Sequence, residues 1–167
     1  MSVEERYARH LGLFGEEGQR RIAATTVAIV GLGGLGSHVA QQLAYLGVTR
    51  FALFDGDAVE ASNLNRLIGA GEVDVGSPKV VVAERLIAAV QPSARIAAEP
   101  RHFDADAHAD AVGDVEVLFG CVDEDPARLG LLCVASEFAV PYVDLASDVA
   151  LEGEFGGRIV FASDGKR

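Results

Sequence analysis

VAIVGLGGLGSHVAQQL, from Val27 to Leu43, changes its period halfway along. Four apolar residues, Val27 to Val30, run straight into Gly31, Gly33, Gly34 and Gly36. Apolar residues then return at Leu35, Val39, Leu43 and Leu46, the spacing of one helix face. The stretch therefore predicts a strand, a tight glycine turn and a helix. Such a turn brings backbone N–H groups to a helix N-terminus, where the dipole and the unpaired donors favour an anion, most often a nucleotide phosphate.

Downstream, the strand candidate FALFD ends on Asp55, nineteen residues after Gly36. A carboxylate at the carboxyl end of that strand is placed to accept hydrogen bonds from a ribose hydroxyl. NAD and ATP fit this much equally. The next segment, DGDAVEASNLNRLIGAGEVDVGSPKV, separates them, because it is a long polar connection where a plain dinucleotide fold turns quickly into a helix. It carries Asn63, Arg66 and Lys79. Ser77 and Pro78 read as N-cap and first helical position, which puts Lys79 in the first turn, where a cation opposes the helix dipole by about 0.3–1 kcal/mol. A bound polyphosphate reverses that sign, so Lys79 is better explained as a phosphate ligand than as a solvated lysine. Arg66 reads equally as a surface arginine, and Asn63 equally as a turn former. A second carboxylate, Asp123, follows the apolar strand VEVLF and precedes a helix begun near Pro126. With Glu124 and Asp125 beside it, it is either part of an N-terminal capping cluster or a magnesium ligand, since a hard cation bridges carboxylate oxygens to substrate phosphates.

The same alternation runs along the chain. Strands are expected at Val27–Val30, Phe51–Phe54, Ala94–Ala98, Val115–Phe119 and Tyr142–Leu145, separated by helices at about 34–46, 78–91, 104–112 and 125–138. Crossover connections of this kind give an α/β fold, a doubly wound, mostly parallel, Rossmann-like sheet with helices on both faces. Residues 1–25 read as a helical N-terminal arm interrupted by Gly12, Gly15 and Gly18, and residues 26–167 as one nucleotide-binding domain. The final LEGEFGGRIVFASDGKR looks like a further strand or hairpin.

Composition narrows the partners. A net charge of −11 opposes general attraction to nucleic acid or an anionic membrane, so any phosphate site must be locally basic. No apolar run approaches the roughly 18 residues of a membrane span, and the charged, amphipathic start MSVEERYARH is unlike a signal peptide, so a cytoplasmic protein is expected. Two cysteines, Cys121 and Cys133, exclude a disulfide framework or a four-thiolate zinc site within this chain and read as core residues. His10, His38, His102 and His108 show no ligand spacing.

Taken together, RYARH, GLGGLGS, DGDAVEASNLNR, DVGSPK, CVDEDPAR and VPYVDLA resemble, in order, the MoeB/ThiF/HesA family of ubiquitin-activating-enzyme-like adenylyltransferases. The resemblance implies ATP at Gly31, Gly33, Gly34, Leu35 and Gly36 with Asp55 on its ribose and Asp57 nearby. Asn63, Arg66 and Lys79 would hold the phosphates, Asp123 would serve Mg²⁺, and the chain would be a homodimer in which Arg9 reaches the partner's nucleotide. The implied reaction turns the C-terminal carboxylate of a ubiquitin-like sulfur carrier ending in Gly-Gly into an acyl-adenylate. Its catalytic residues would be Arg9, Arg66, Lys79 and Asp123. This chain departs from the family at Glu124, Leu67 and Leu132, where Asn, Gln and Asn are common. It also lacks the C-terminal zinc pairs, crossover loop and carrier-docking part typical of relatives, so the isolated chain is expected to bind ATP but to adenylate a carrier poorly. The rivals are an NAD-dependent oxidoreductase, which has no need of the Asn63, Arg66 and Lys79 set, a non-catalytic partner subunit, and a family member activating a small carboxylate.

Overall fold

Alternate side chains of the strand β1 (Thr26–Val30) point to opposite faces, and each face carries its own core. The computed structural model describes residues 3–151 and 153–163. On one face Val27 and Ile29 pack with Phe51 and Leu53 of β2 (Arg50–Phe54) under α3 (Gly34–Leu46) and α4 (Lys79–Val90). On the other, Ala28 and Val30 pack with Leu118 of β4 (Val117–Gly120) under α5 (Ala105–Gly113) and α6 (Asp125–Glu137). Ile29 and Leu53 are fully buried, a contribution of about 1.5–3 kcal/mol each.

With β3 (Arg95–Glu99), β5 (Tyr142–Leu151) and β6 (Glu154–Ala162), the sheet has the order β3-β2-β1-β4-β5-β6. All pairings are parallel except the last, in which β6 runs back along β5 as a hairpin. This is the doubly wound, Rossmann-like sheet expected, with the reversal of strand order between β1 and β4. Each expected strand lies within two residues of an observed one at its start. Among the described residues no helix covers the face of β5 and β6 that bears Phe155, Ile159 and Phe161, and Phe155 is 86% and Ile159 74% exposed.

The N-terminal segment forms α1 (Val3–Arg6) and α2 (Ala8–Ala24), and of its three glycines only Gly15 breaks the helical conformation, at φ 68°. Gln91 donates its side-chain N–H to the Tyr7 hydroxyl at 2.9 Å, and Gln19 donates to the Leu46 carbonyl at 2.9 Å. The arm is thus seated on the ends of α3 and α4. The long connection after β2 is equally tied down. Arg85 of α4 donates two hydrogen bonds to Asp74, at 2.7 and 2.8 Å, and another to the Gly69 carbonyl, while Val59 and Leu67 pack on Val82. The Arg85 hydrogen bond holds the Asp74 carboxyl down at about 2, helped by the Gly71 N–H.

Two local expectations are corrected. Pro78, at ψ 136°, is itself the N-cap of α4 and Lys79 its first helical residue; Ser77 makes no capping hydrogen bond, and its carbonyl instead accepts from the Val59 N–H. Cys133 is exposed, because Leu131, Val134 and Ala135 form the buried face of α6 and position 133 falls on the opposite side.

Candidate functional site

The glycine turn is shaped by two crowded positions and one open one. Gly31 has φ 86°, and a Cβ there would lie 2.7 Å from the Cys121 carbonyl oxygen, so only glycine fits. A Cβ on Gly36 would lie 1.8 Å from the Gly31 oxygen, which is how closely α3 sits against the turn. Gly33, the N-cap of α3, is different: a Cβ there meets nothing within 4 Å, and no side chain caps the helix. The first-turn N–H groups of α3 thus face a cleft lined by Gly31, Gly33, Gly34 and Leu35. Asp55, buried at the end of β2, accepts the Leu32 N–H at 2.6 Å and the Asp57 N–H at 2.8 Å, and so ties the β1 turn to the β2 loop.

Cations stand on the same wall. The Lys79 ammonium, with its side chain only 12% exposed, donates to Asp57 at 2.7 Å. That hydrogen bond, with the charges of Lys79 and His102, holds the Asp57 carboxyl below its ordinary value against a smaller opposing effect of burial. Arg66 lays its aliphatic stem over Gly34, where a Cβ would be 3.1 Å from its Cδ, and donates to the Ser62 carbonyl at 2.8 Å. Asp123 is exposed in the cleft just past β4. Among the expected residues, Asn63 does not join them. It is buried outside the cleft lining, and its Oδ1 accepts the Glu60 N–H at 3.1 Å, closing a turn at Ala61–Asn63. Arg9 is exposed on α2 and does not line this chain's own cleft.

The far wall was not anticipated. Arg128, in the first turn of α6, pairs with the buried Asp144 of β5 at 2.5 Å and also donates to the Val122 and Leu145 carbonyls. The Tyr142 hydroxyl donates to the same Asp144 at 3.2 Å. Arg158 of β6 approaches Asp144 at 3.6 Å and Asp125 at 3.9 Å. Burial, reinforced by the Asp144 charge, pushes the Cys121 thiol up to about 12, which makes it a poor nucleophile. The sequence signal for this wall was an aspartate inside the otherwise apolar VPYVDLA.

The cleft, about 1220 Å³, runs along the carboxyl edge of the sheet from Asp55 to Arg158. Its donor set fits a nucleotide: open backbone at Gly33, an uncapped helix start, and two cations beside them. Among the described residues no group of three or more His, Cys, Asp or Glu side chains could hold a metal ion. Mg²⁺ needs no such cage, because one or two carboxylates with phosphates and water complete its octahedron, and exposed Asp123 supplies that much.

The chain resembles known proteins. The chain is 40% identical over 125 residues to the mouse (Mus musculus) adenylyltransferase and sulfurtransferase MOCS3, covering 74% of this chain and 27% of that protein. It is 35% identical over 126 residues to the sulfur carrier protein adenylyltransferase of Thermus thermophilus, covering 74% and 46%. It therefore spans less than half of either relative's length. Among solved structures, E. coli tRNA N6-threonylcarbamoyladenosine dehydratase, TcdA, in complex with ATP superposes with a TM-score of 0.80 at 26% identity, covering 84% of this chain and 58% of that one. Residues 7–160, from the seated N-terminal arm through the glycine turn and the cleft to the antiparallel strand, match one family, and the chain belongs to it: the ThiF family.

Proposed function

We propose that this chain is the nucleotide-binding part of an ATP-dependent adenylyltransferase that activates the C-terminal carboxylate of a ubiquitin-like sulfur carrier ending in Gly-Gly. The observation that carries the reading is the meeting of an uncapped helix start, open Gly33, Arg66, Lys79 and Asp123 in one cleft. Relatives named as adenylyltransferases support it. The acid-rich surface, at a net charge of −11, favours a protein acceptor over tRNA.

In this reading the nucleotide lies across Gly31, Gly33, Gly34, Leu35 and Gly36. Asp55 accepts from its ribose while keeping its two backbone bonds. Lys79 exchanges its Asp57 partner for phosphate, and Arg66 swings from the Ser62 carbonyl to do the same. The attacking carboxylate is already ionised at neutral pH, so no general base is needed, and the work is positioning and charge neutralisation. Mg²⁺ bound at Asp123 would neutralise phosphate charge. The protein acts in the cytoplasm as a homodimer. A second copy would cover the bare Phe155, Ile159 and Phe161 face and the exposed Leu13 of α2, and would bring its Arg9 to this chain's nucleotide.

The test is an ATP titration by calorimetry together with carrier-dependent pyrophosphate exchange. Lys79→Ala and Arg66→Ala each lower ATP affinity and exchange by about tenfold or more, consistent with loss of a charged hydrogen bond, while thermal melts stay near wild type. Equal losses of stability and of exchange would make both residues structural.

A further inference from the structure

The nucleotide alone leaves part of the cleft without an occupant. Its volume, about 1220 Å³, exceeds the roughly 300–1,000 Å³ of a single small-molecule site. The nucleotide features, Asp55, Lys79, Arg66 and the turn, gather at the β1 and β2 end. The remainder is lined by Asp123 to Arg128 and by Ala146, Ser147, Gly156, Gly157 and Arg158 of the β5–β6 hairpin.

That remainder is a hostile place for an anion. Asp123, Glu124 and Asp125 line it, on a chain of net charge −11. A carboxylate substrate needs a cation on its own side to enter. Arg128 is not available: 11% exposed, it is spent on Asp144 at 2.5 Å and on two carbonyls. Arg158 is. Its partner Asp144 is already neutralised by Arg128, its distances of 3.6 Å to Asp144 and 3.9 Å to Asp125 are longer than hydrogen bonds, and its side chain is 56% exposed. Among the described residues a Cβ on Gly156 would meet nothing within 4 Å, so an extended chain end has room beside the guanidinium.

We propose that Arg158 is the substrate-carboxylate receptor of this site, holding the C-terminal carboxylate of the acyl substrate between the β5–β6 hairpin and the α-phosphate of ATP. The proposal rests on the adenylation reading. A guanidinium suits the task because its planar fork binds a carboxylate with defined orientation, where an ammonium offers only a point charge. One carboxylate oxygen stays with Arg158. The other forms the new bond to the α-phosphorus as the bond from that phosphorus to the bridging oxygen breaks, the electron pair leaves with pyrophosphate, and no proton moves.

The experiment measures, by fluorescence anisotropy in the presence of a non-hydrolysable ATP analogue, a labelled heptapeptide ending in Gly-Gly as the free acid and as the amide. Wild type, Arg158→Gln and Arg158→Lys are compared, with analogue binding followed separately by calorimetry. Wild type prefers the acid by about tenfold, the order of one charge-assisted pair. Arg158→Gln abolishes that preference while binding the analogue within about twofold of wild type, and Arg158→Lys recovers part of it. Acid preference retained in Arg158→Gln, equal binding of acid and amide by wild type, or binding of neither peptide overturns the proposal while leaving the nucleotide site standing. Failure of wild type to bind the analogue instead overturns the adenylation reading and this proposal with it.

Discussion

Adding one methyl group at Gly33 or at Gly36 separates fold from ligand in the glycine turn. At Gly36 a Cβ would stand 1.8 Å from the Gly31 carbonyl oxygen and 3.4 Å from the Cys121 Cβ. A carbon and an oxygen tolerate about 3.2 Å, so α3 or the turn must retreat by about 1.4 Å, and both are packed in the main core. Overpacking of this kind costs typically about 1–3 kcal/mol and more where backbone opposes backbone, so Gly36→Ala should lose at least about 3 kcal/mol of a total of about 5–15. Gly33→Ala faces open space at a φ of −71°, an ordinary value for any residue, so its stability should stay within about 1 kcal/mol of wild type. The same methyl would stand where phosphate oxygens approach the α3 N-terminus, and ATP affinity should fall by about a hundredfold, equivalent to about 2.7 kcal/mol. Urea denaturation and ATP calorimetry on both variants give the four numbers. Normal ATP binding by Gly33→Ala would refute the phosphate cradle, and a wild-type denaturation midpoint for Gly36→Ala would refute the docking of α3 on the turn.

Three further outcomes are expected. Asp123→Ala should abolish magnesium-dependent pyrophosphate exchange, whereas Asp125→Ala, which removes a first-turn acid held only loosely at 3.9 Å by Arg128 and Arg158, should cost no more than about 1 kcal/mol in a melt; like behaviour of the two removes the metal role from Asp123. Asp74 binds its proton less readily folded, at about 2, than its ordinary 3.8, so its stabilisation is complete above about pH 4 and is lost as the pH falls through about 2. The thermal advantage of wild type over Asp74→Asn should shrink across that window, and an advantage independent of pH would refute the Arg85 linkage. Light scattering should report twice the 17.5 kDa of one chain, reverting to a monomer in Ile159→Asp, while Arg9→Ala keeps the dimer mass but lowers exchange; a wild-type monomer with full exchange contradicts both.

What was legible in the sequence was local. The change of period at Gly31 marks β1 and α3 because strand and helix bury different spacings of apolar residues, and Asp55 and Lys79 follow from their places at the ends of elements. The cap of α4 slipped by one residue because Ser77 and Pro78 both suit a helix start, and the choice falls to the Val59 N–H, which binds the Ser77 carbonyl. Asn63 could not be decided from residue type, since the same amide can close a turn or hold a phosphate; in the fold its Oδ1 accepts the Glu60 N–H. The Arg128, Asp144 and Arg158 group was hidden for a different reason. Its members come from α6, β5 and β6, and only the hairpin's reversal, in which Ala146 pairs with Arg158, brings the last of them to the cleft.

That hairpin reaches past the sheet that carries it. β4 pairs with β5 only as far as Asp144, and among the described residues β5 from Leu145 to Leu151 has β6 as its sole strand neighbour. A two-stranded ribbon twists more freely than a sheet of parallel strands and depends on few of its neighbours. Lengthening or trimming its tip would change the depth of the cleft without disturbing the ladders that join β1, β2 and β4. The β1 and β2 end is thus tied into the sheet on both sides, while the overhang can change length with little cost to those ladders.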